Sequence, residues 1–424
     1  MRLALKALGL FGVLSVAVAP PSMAAAHGLA FLPGAIPAPA GWASTMGAFV
    51  AAQQEPPAPQ SVTPAQLKAA IDKLGDLDYD TRTTASRTIR RSPAIQAVPA
   101  LLQAVQEHAD GYVRYRALVL LTGFNDPRTK GAMHESLSSP NDRLRTVAYS
   151  YFEHNPDRGM TSELLAALEK EQAEFVRPAL VRALAALGAD AKVQQTLVRE
   201  VARGEDFFRS AVIEALGDYK AVYALEAITA VAKLDGPLQD DAALALGRIG
   251  DKRALTTLAE LQRSAPRSRQ PSIAAGICLL GVDCDAHVQF LSQTLAFAEK
   301  NAGYQDLLRA AAAGLAALAV AGHVEAANAL FDIGIPARDD ATRAPAALAV
   351  GTIALRNTSL MVGVVEKRAD RPTAIDFVGE GFDMLEEDLD KEAFFAFVRR
   401  TYWASPEGSP TRGLMQTLIT KLDF

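Results

Sequence analysis

Residues 145–152 read RTVAYSYF, residues 177–184 read RPALVRAL and residues 209–216 read RSAVIEAL. Each octet begins with arginine and sets apolar side chains three and seven positions on: Ala148 and Phe152, Leu180 and Leu184, Val212 and Leu216. Residues at those offsets share one face of an α-helix, so each octet predicts a helix with a buried stripe. The pattern extends backwards to Arg114, with Ala117 and Leu121, and to Arg82, with Ala85 and Ile89. The five arginines Arg82, Arg114, Arg145, Arg177 and Arg209 are separated by 32, 31, 32 and 32 residues. A period of that length, kept over five copies, marks stacked repeats in which each unit touches only its neighbours.

The register runs on after the arginine disappears. Gln239, Gln270, Leu308 and Ala341 take its position. Ala242, Ile273, Ala311 and Ala344 stand three residues on, and Leu246, Ile277, Leu315 and Leu348 seven residues on. The long step from 270 to 308 predicts an inserted loop or lengthened helices around 298–306. Small residues at the sixth offset, such as Ala183, Ala215, Ala245 and Gly276, let a neighbouring helix approach closely. A second helix follows a short break in each copy, as where Gly250-Asp251 precedes the run ALTTLAEL at 254–261. The fold class expected is therefore all-α, a solenoid of about nine to ten helix pairs.

The segment DDAALALGRIGDKRAL at 240–255, and the copy from Phe175-Val176-Arg177 to Leu187-Gly188, resemble HEAT-like repeats of the phycobilisome-lyase type. The resemblance covers roughly residues 76–365 and is specific for fold rather than function. It implies an α-solenoid with a curved surface. It also implies one enzymatic alternative, a bilin-lyase-like protein that uses the repeat to hold a tetrapyrrole.

The remaining sequence frames this array. Arg2 and Lys6 precede an apolar run over 8–19, and small residues follow at Ser22, Ala24, Ala25 and Ala26, which is the pattern of a signal peptide over 1–26. That run falls short of the roughly 20 apolar residues of a stable membrane span. Residues 27–60 carry six prolines and no charge before Glu55, and predict a flexible tether. A second processing site near Ala51-Ala52-Gln53 is an alternative mature start. The solenoid is expected over 61–370 and a helical capping region over 371–424. In the latter, Asp376, Glu380, Asp383, Glu386, Glu387, Asp388, Asp390 and Glu392 interleave with phenylalanines, so an acidic docking element is the other reading. A formal net charge of -5 excludes a generally basic nucleic-acid surface.

No pattern for chemistry stands out. There is no Gly-rich phosphate loop, no nucleophile elbow and no HExxH, so no catalytic, metal or cofactor residues are expected. The six histidines are scattered, although His134-Glu135 and Glu153-His154 occupy similar helix ends in adjacent repeats. Cys278 and Cys284 are the two cysteines and, in an exported chain, predict a local disulfide with Gly281 turning the chain between them. The column Arg82, Arg114, Arg145, Arg177 and Arg209, preceded by Asp78, Asp110, Asn141, Glu174 and Asp206, predicts a structural inter-repeat ladder, an anion-binding stripe being the alternative. Arg87, Arg90 and Arg91 sit off the repeated position and are expected to be unpaired and indifferent to stability. Arg263, Arg267 and Arg269 are expected to be solvated. The function expected is an exported, non-enzymatic scaffold, periplasmic or extracellular, that binds a protein or peptide along the solenoid groove. A structural part of a cell-envelope assembly is a further alternative.

Overall fold

The computed structural model describes residues 62–424 apart from 302 and 386. The expected signal peptide and tether lie outside the described residues. The first five helix pairs are α1 (Pro64–Asp72) and α2 (Tyr79–Arg90), α3 (Ala94–Glu107) and α4 (Gly111–Thr122), α5 (Arg128–Ser136) and α6 (Asp142–His154), α7 (Thr161–Lys170) and α8 (Arg177–Ala185), and α9 (Ala191–Glu200) and α10 (Asp206–Asp218). The next five are α11 (Leu225–Ala232) and α12 (Gln239–Ile249), α13 (Ala254–Ser264) and α14 (Gln270–Leu279), α15 (Cys284–Lys300) and α16 (Gln305–Val320), α17 (Val324–Gly334) and α18 (Asp340–Arg356), and α19 (Thr358–Lys367) and α20 (Arg371–Met384). Two more helices follow, α21 (Asp388–Ala404) and α22 (Pro410–Lys421). This is an all-α solenoid of HEAT-type pairs.

Local chemistry explains where the even-numbered helices begin. Asp78, Asp110 and Asn141 accept hydrogen bonds from the backbone N–H of Thr81, Tyr112 and Arg143, satisfying donors that a helix start leaves free. Proline occupies the first turn of α8, α14, α20 and α22, where a missing N–H costs nothing. The long step in the register is taken up by length: α15 has 17 residues and α16 has 16.

The apolar stripes are buried as the spacing requires. Ala148, Leu180, Val212, Ala242 and Ala311, with Phe152, Leu184, Leu216, Leu246 and Leu315, are all at most 1% exposed. One register point needs correction. Leu348 is 41% exposed, whereas Ala346 and Val350 are fully buried, so the repeated position in α18 is Arg343 rather than Ala341. The even helices stack directly on one another from α2 to α20, and from α4 onward they do so more closely than the odd helices.

The core divides into two clusters, one drawn from residues 62–280 and the other from 244–424. Leu389 in α21 belongs to the first, while Phe394 and Val398 of the same helix belong to the second. Helix α21 therefore leaves the end of the stack and packs against α4 and α6 near its beginning, as well as against α18. No single helix among the described residues is long and apolar enough to cross a membrane.

Candidate functional site

The layer of even helices carries a charged surface that α21 covers. From α2, Arg90 donates through Nε to Glu392 Oε2 at 2.8 Å, and both side chains are buried, at 6% and 1% exposure. Arg399, about two helical turns further along α21, stands 3.5 Å from the other oxygen of Glu392. In α4, Arg116 donates to Asp388 Oδ2 at 2.8 Å, and the Tyr115 hydroxyl donates to the same oxygen. His154 at the end of α6 meets Asp390 Oδ1 at 2.9 Å. From α18, Arg356 donates to Glu387 Oε1 at 3.1 Å and lies 3.9 Å from Asp390. Gly123, just past α4, makes this approach possible: a Cβ there would sit 2.6 Å from Glu392 Oε1.

The network continues along the even helices. Glu153 in α6 accepts from Arg182 Nε at 2.8 Å and from the Tyr219 hydroxyl at 3.1 Å. Arg182 reaches Asp218 at 3.0 Å, and Arg248 of α12 reaches the same carboxylate at 3.1 Å. Burial sets the electrostatics of these groups. It depresses the Arg90 pKa, an effect that Glu392 opposes and the Arg399 and Arg116 cations reinforce. Burial alone would also lower the His154 pKa, but the hydrogen bond and charge of Asp390 outweigh it and the net shift is upward. Asp390 is desolvated too, yet Arg356 and His154 hold its pKa well below the usual carboxylate range.

The cluster expected to be unpaired is thus the anchor for the other end of the chain. Arg87 bonds to Asp423, Arg90 to Glu392, and Arg91 NH2 to the Phe424 carbonyl at 3.2 Å. The Arg90 guanidinium also lies 5.0 Å from the Phe395 ring centre, and Phe395 stacks on Phe424 at 4.1 Å. Of the other cations expected to be solvated, Arg269 pairs with Asp240 and Arg267 lies 5.0 Å from the Phe297 ring centre. His134 and His154 do not come together: the first meets Glu163 at 3.1 Å, the second Asp390.

The arginine column works at a different place, where each even helix starts. Arg82 donates to the carbonyls of Asp76 and Leu77, Arg114 to Val105, and Arg209 to Val201. Each of these acceptors ends the preceding odd helix or the turn after it, so the guanidinium satisfies carbonyls that a helix end leaves free. These three arginines bind within their own pair rather than forming rungs between repeats. Arg145 caps Ser139 and also grips Glu171 of the next pair, at 2.8 and 2.9 Å. Arg177 stacks 3.7 Å from the Phe208 ring centre of the next pair. Gln239 and Gln270 perform the same capping on Ala232 and on Gln262 and Ala265, and Arg343 on Gly334 and Ile335. Where the position caps, arginine and glutamine serve alike, so the capping rests on an N–H donor rather than on a positive charge; Leu308, fully buried at the start of α16, holds the position without one.

A third feature lies along the same edge. Leu77, Tyr79, Phe175, Phe207 and Tyr304 are exposed, and each stands at or within two residues of the start of an even helix; exposed Leu234 follows the end of α11. Phe175 is 79% and Phe207 50% exposed, at equivalent positions of consecutive repeats, with ring centres 6.3 Å apart. Finally, the structure joins Cys278 and Cys284 in a disulfide, with Cα atoms 4.4 Å apart. It also brings His323, 39 residues beyond Cys284 in sequence, beside both sulfurs.

A family model described as HEAT repeats matches residues 98–185. No curated protein matches this sequence. Among solved structures, importin beta is similar at 14% identity and a TM-score of 0.37, covering 84% of this chain and 55% of the importin. The chain thus spans about half the length of that importin. The complex of CpcE and CpcF of phycocyanin lyase from Nostoc is similar at 16% identity and a TM-score of 0.25, covering 80% of this chain and 98% of that one.

Proposed function

We propose that this protein is an exported, non-enzymatic scaffold that binds a protein or peptide on the exposed edge marked by Phe175 and Phe207. The groove was the expected surface, but α21 packs on the even helices α4, α6 and α18. The exposed rings carry the reading. Burying a large apolar side chain contributes roughly 1.5–3 kcal/mol, which these residues forgo in the free chain. Aromatic side chains repeated along one edge supply the kind of anchor that dominates protein interfaces. HEAT-type solenoids present such edges as extended surfaces, and importin beta, to which the chain is similar in fold, offers a precedent for the architecture alone. Export is supported by the sequence pattern over 1–26 and by the bonded cysteine pair.

A photoreactive amino acid placed at Phe175 and at Phe207, in the native host, tests the site. The reading expects the same adduct from both positions and none from exposed Gln103 on α3. No adduct at 175 or 207, or the same adduct from 103, would reject this edge as the contact surface.

A further inference from the structure

We propose that the reduced form of this protein binds a thiophilic d10 metal ion, with zinc as the type case, through Cys278, Cys284 and His323. The three side chains come from three elements: the end of α14, the first residue of α15 and the residue preceding α17. Gly281, with φ of 80°, turns the chain between the two cysteines and brings α15 back beside α14. His323 Nε2 then stands 3.8 Å from Cys278 Sγ and 3.9 Å from Cys284 Sγ, so the imidazole faces both sulfurs evenly.

Those distances are close to what a metal site needs. Zinc bonds of about 2.3 Å to sulfur and about 2.0 Å to nitrogen, at tetrahedral angles, place nitrogen and sulfur about 3.5 Å apart and the two sulfurs about 3.8 Å apart. The nitrogen-to-sulfur edges are thus within a few tenths of an ångström of their liganded lengths, and one change completes the triangle: the sulfurs must separate by about 1.7 Å once the bond between them is cut. All three donor atoms lie within 4.8 Å of one another. Cys278 is almost wholly buried, whereas Cys284 and His323 are partly exposed, which gives an ion a route in and leaves a fourth position open to solvent or another ligand. Cys284 begins a helix of 17 residues, and the positive end of its dipole favours a thiolate there. Two thiolates and an imidazole form a soft donor set that selects zinc or copper(I) over magnesium or calcium.

The chemistry balances in two steps. A dithiol reductant passes two electrons and two protons to the protein disulfide, leaving as its own cyclic disulfide, and gives two protein thiols. The ion then displaces two protons and bonds to both thiolates and to His323. An external disulfide reverses this, taking up two electrons and two protons, re-forming the bond between Cys278 and Cys284 and releasing the ion. The two states exclude each other, since the sulfurs cannot both bond to each other and chelate.

The test is zinc uptake by the full protein before and after reduction with dithiothreitol, which is then removed anaerobically, in competition with a chromophoric chelator. The reduced protein should bind one equivalent and the oxidised protein none. Loss of an outer-shell partner typically weakens metal binding 10–100-fold, so His323→Gln, which removes a ligand, should weaken it at least about 100-fold. Cobalt(II) on the reduced protein should show thiolate charge-transfer absorption that Cys284→Ser diminishes while the far-ultraviolet dichroism stays helical. Equal uptake by oxidised and reduced protein, or an unchanged affinity in His323→Gln, would overturn the site.

Discussion

Two sets of arginines in this solenoid do opposite things. Those at positions 82, 114, 145, 177 and 209 recur with the repeat and, except Arg177, which stacks on Phe208, bond to backbone carbonyls a few residues away. Those at 90, 116 and 356 do not recur at the period, are held beneath α21 and bond to carboxylates that, for Arg90 and Arg116, lie 302 and 272 residues away. The first set makes each helix pair; the second closes the stack on itself. A periodic signal reports chemistry that each copy must repeat, such as capping the preceding helix. Closure happens once, so it leaves no period, and its residues look like stray charges in the sequence.

The contrast predicts very different costs. Glu392→Ala leaves Arg90 and Arg399 buried without their carboxylate, and breaking a buried pair from one side costs about 3–5 kcal/mol. Chemical denaturation should show that loss in full. Arg145→Ala removes a two-pronged bond to Glu171 and one carbonyl cap; because hydrogen bonds to charged groups contribute about 1.5–3 kcal/mol, a loss of about 2 kcal/mol is expected. Capping itself is tested at Arg209, where Arg209→Ala should cost about 1 kcal/mol and Arg209→Gln distinctly less, since glutamine already caps at 239 and 270. Equal costs for the two substitutions would show that charge, not the donor, matters there. Arg82 is the mildest case: it is partly exposed and caps only the carbonyls of the turn after α1, so its removal should cost about 0.5 kcal/mol, the low end for a hydrogen bond.

The closure should also respond to pH. His154 has a folded-state pKa raised above its ordinary 6.5, so its stabilisation is fully present below about pH 6.5 and is lost as pH rises through the folded value. Melting temperature should therefore fall with rising pH above 6.5, and His154→Gln should flatten that part of the profile. A profile unchanged by the substitution would separate His154 from the closure.

Much of the array was legible from spacing alone, because apolar residues three and seven positions after each arginine have only one face to occupy. The register failed at Ala341 because the arginine column had lapsed for three copies; the structure shows that Arg343 resumes it two residues later, where it also grips Glu380. The acidic run in α21 was visible, but its target was not. Arg87, Arg90 and Arg91 looked unpaired because their partners, Asp423, Glu392 and Phe424, stand at the far end of the sequence. His323 was equally hidden, since neither spacing nor motif ties it to Cys278 and Cys284. Only folding brings α17 beside the turn between α14 and α15.

The most direct test of the closed stack is a double-mutant cycle on Arg90 and Glu392, using Arg90→Met, Glu392→Leu and the pair together, with unfolding free energies from denaturant titration. If α21 seats on α2 as described, each single change is strongly destabilising, the double change recovers much of the loss, and the coupling exceeds about 1 kcal/mol. Costs that add to within about 0.5 kcal/mol would mean that the two residues do not meet, and that the solenoid is open.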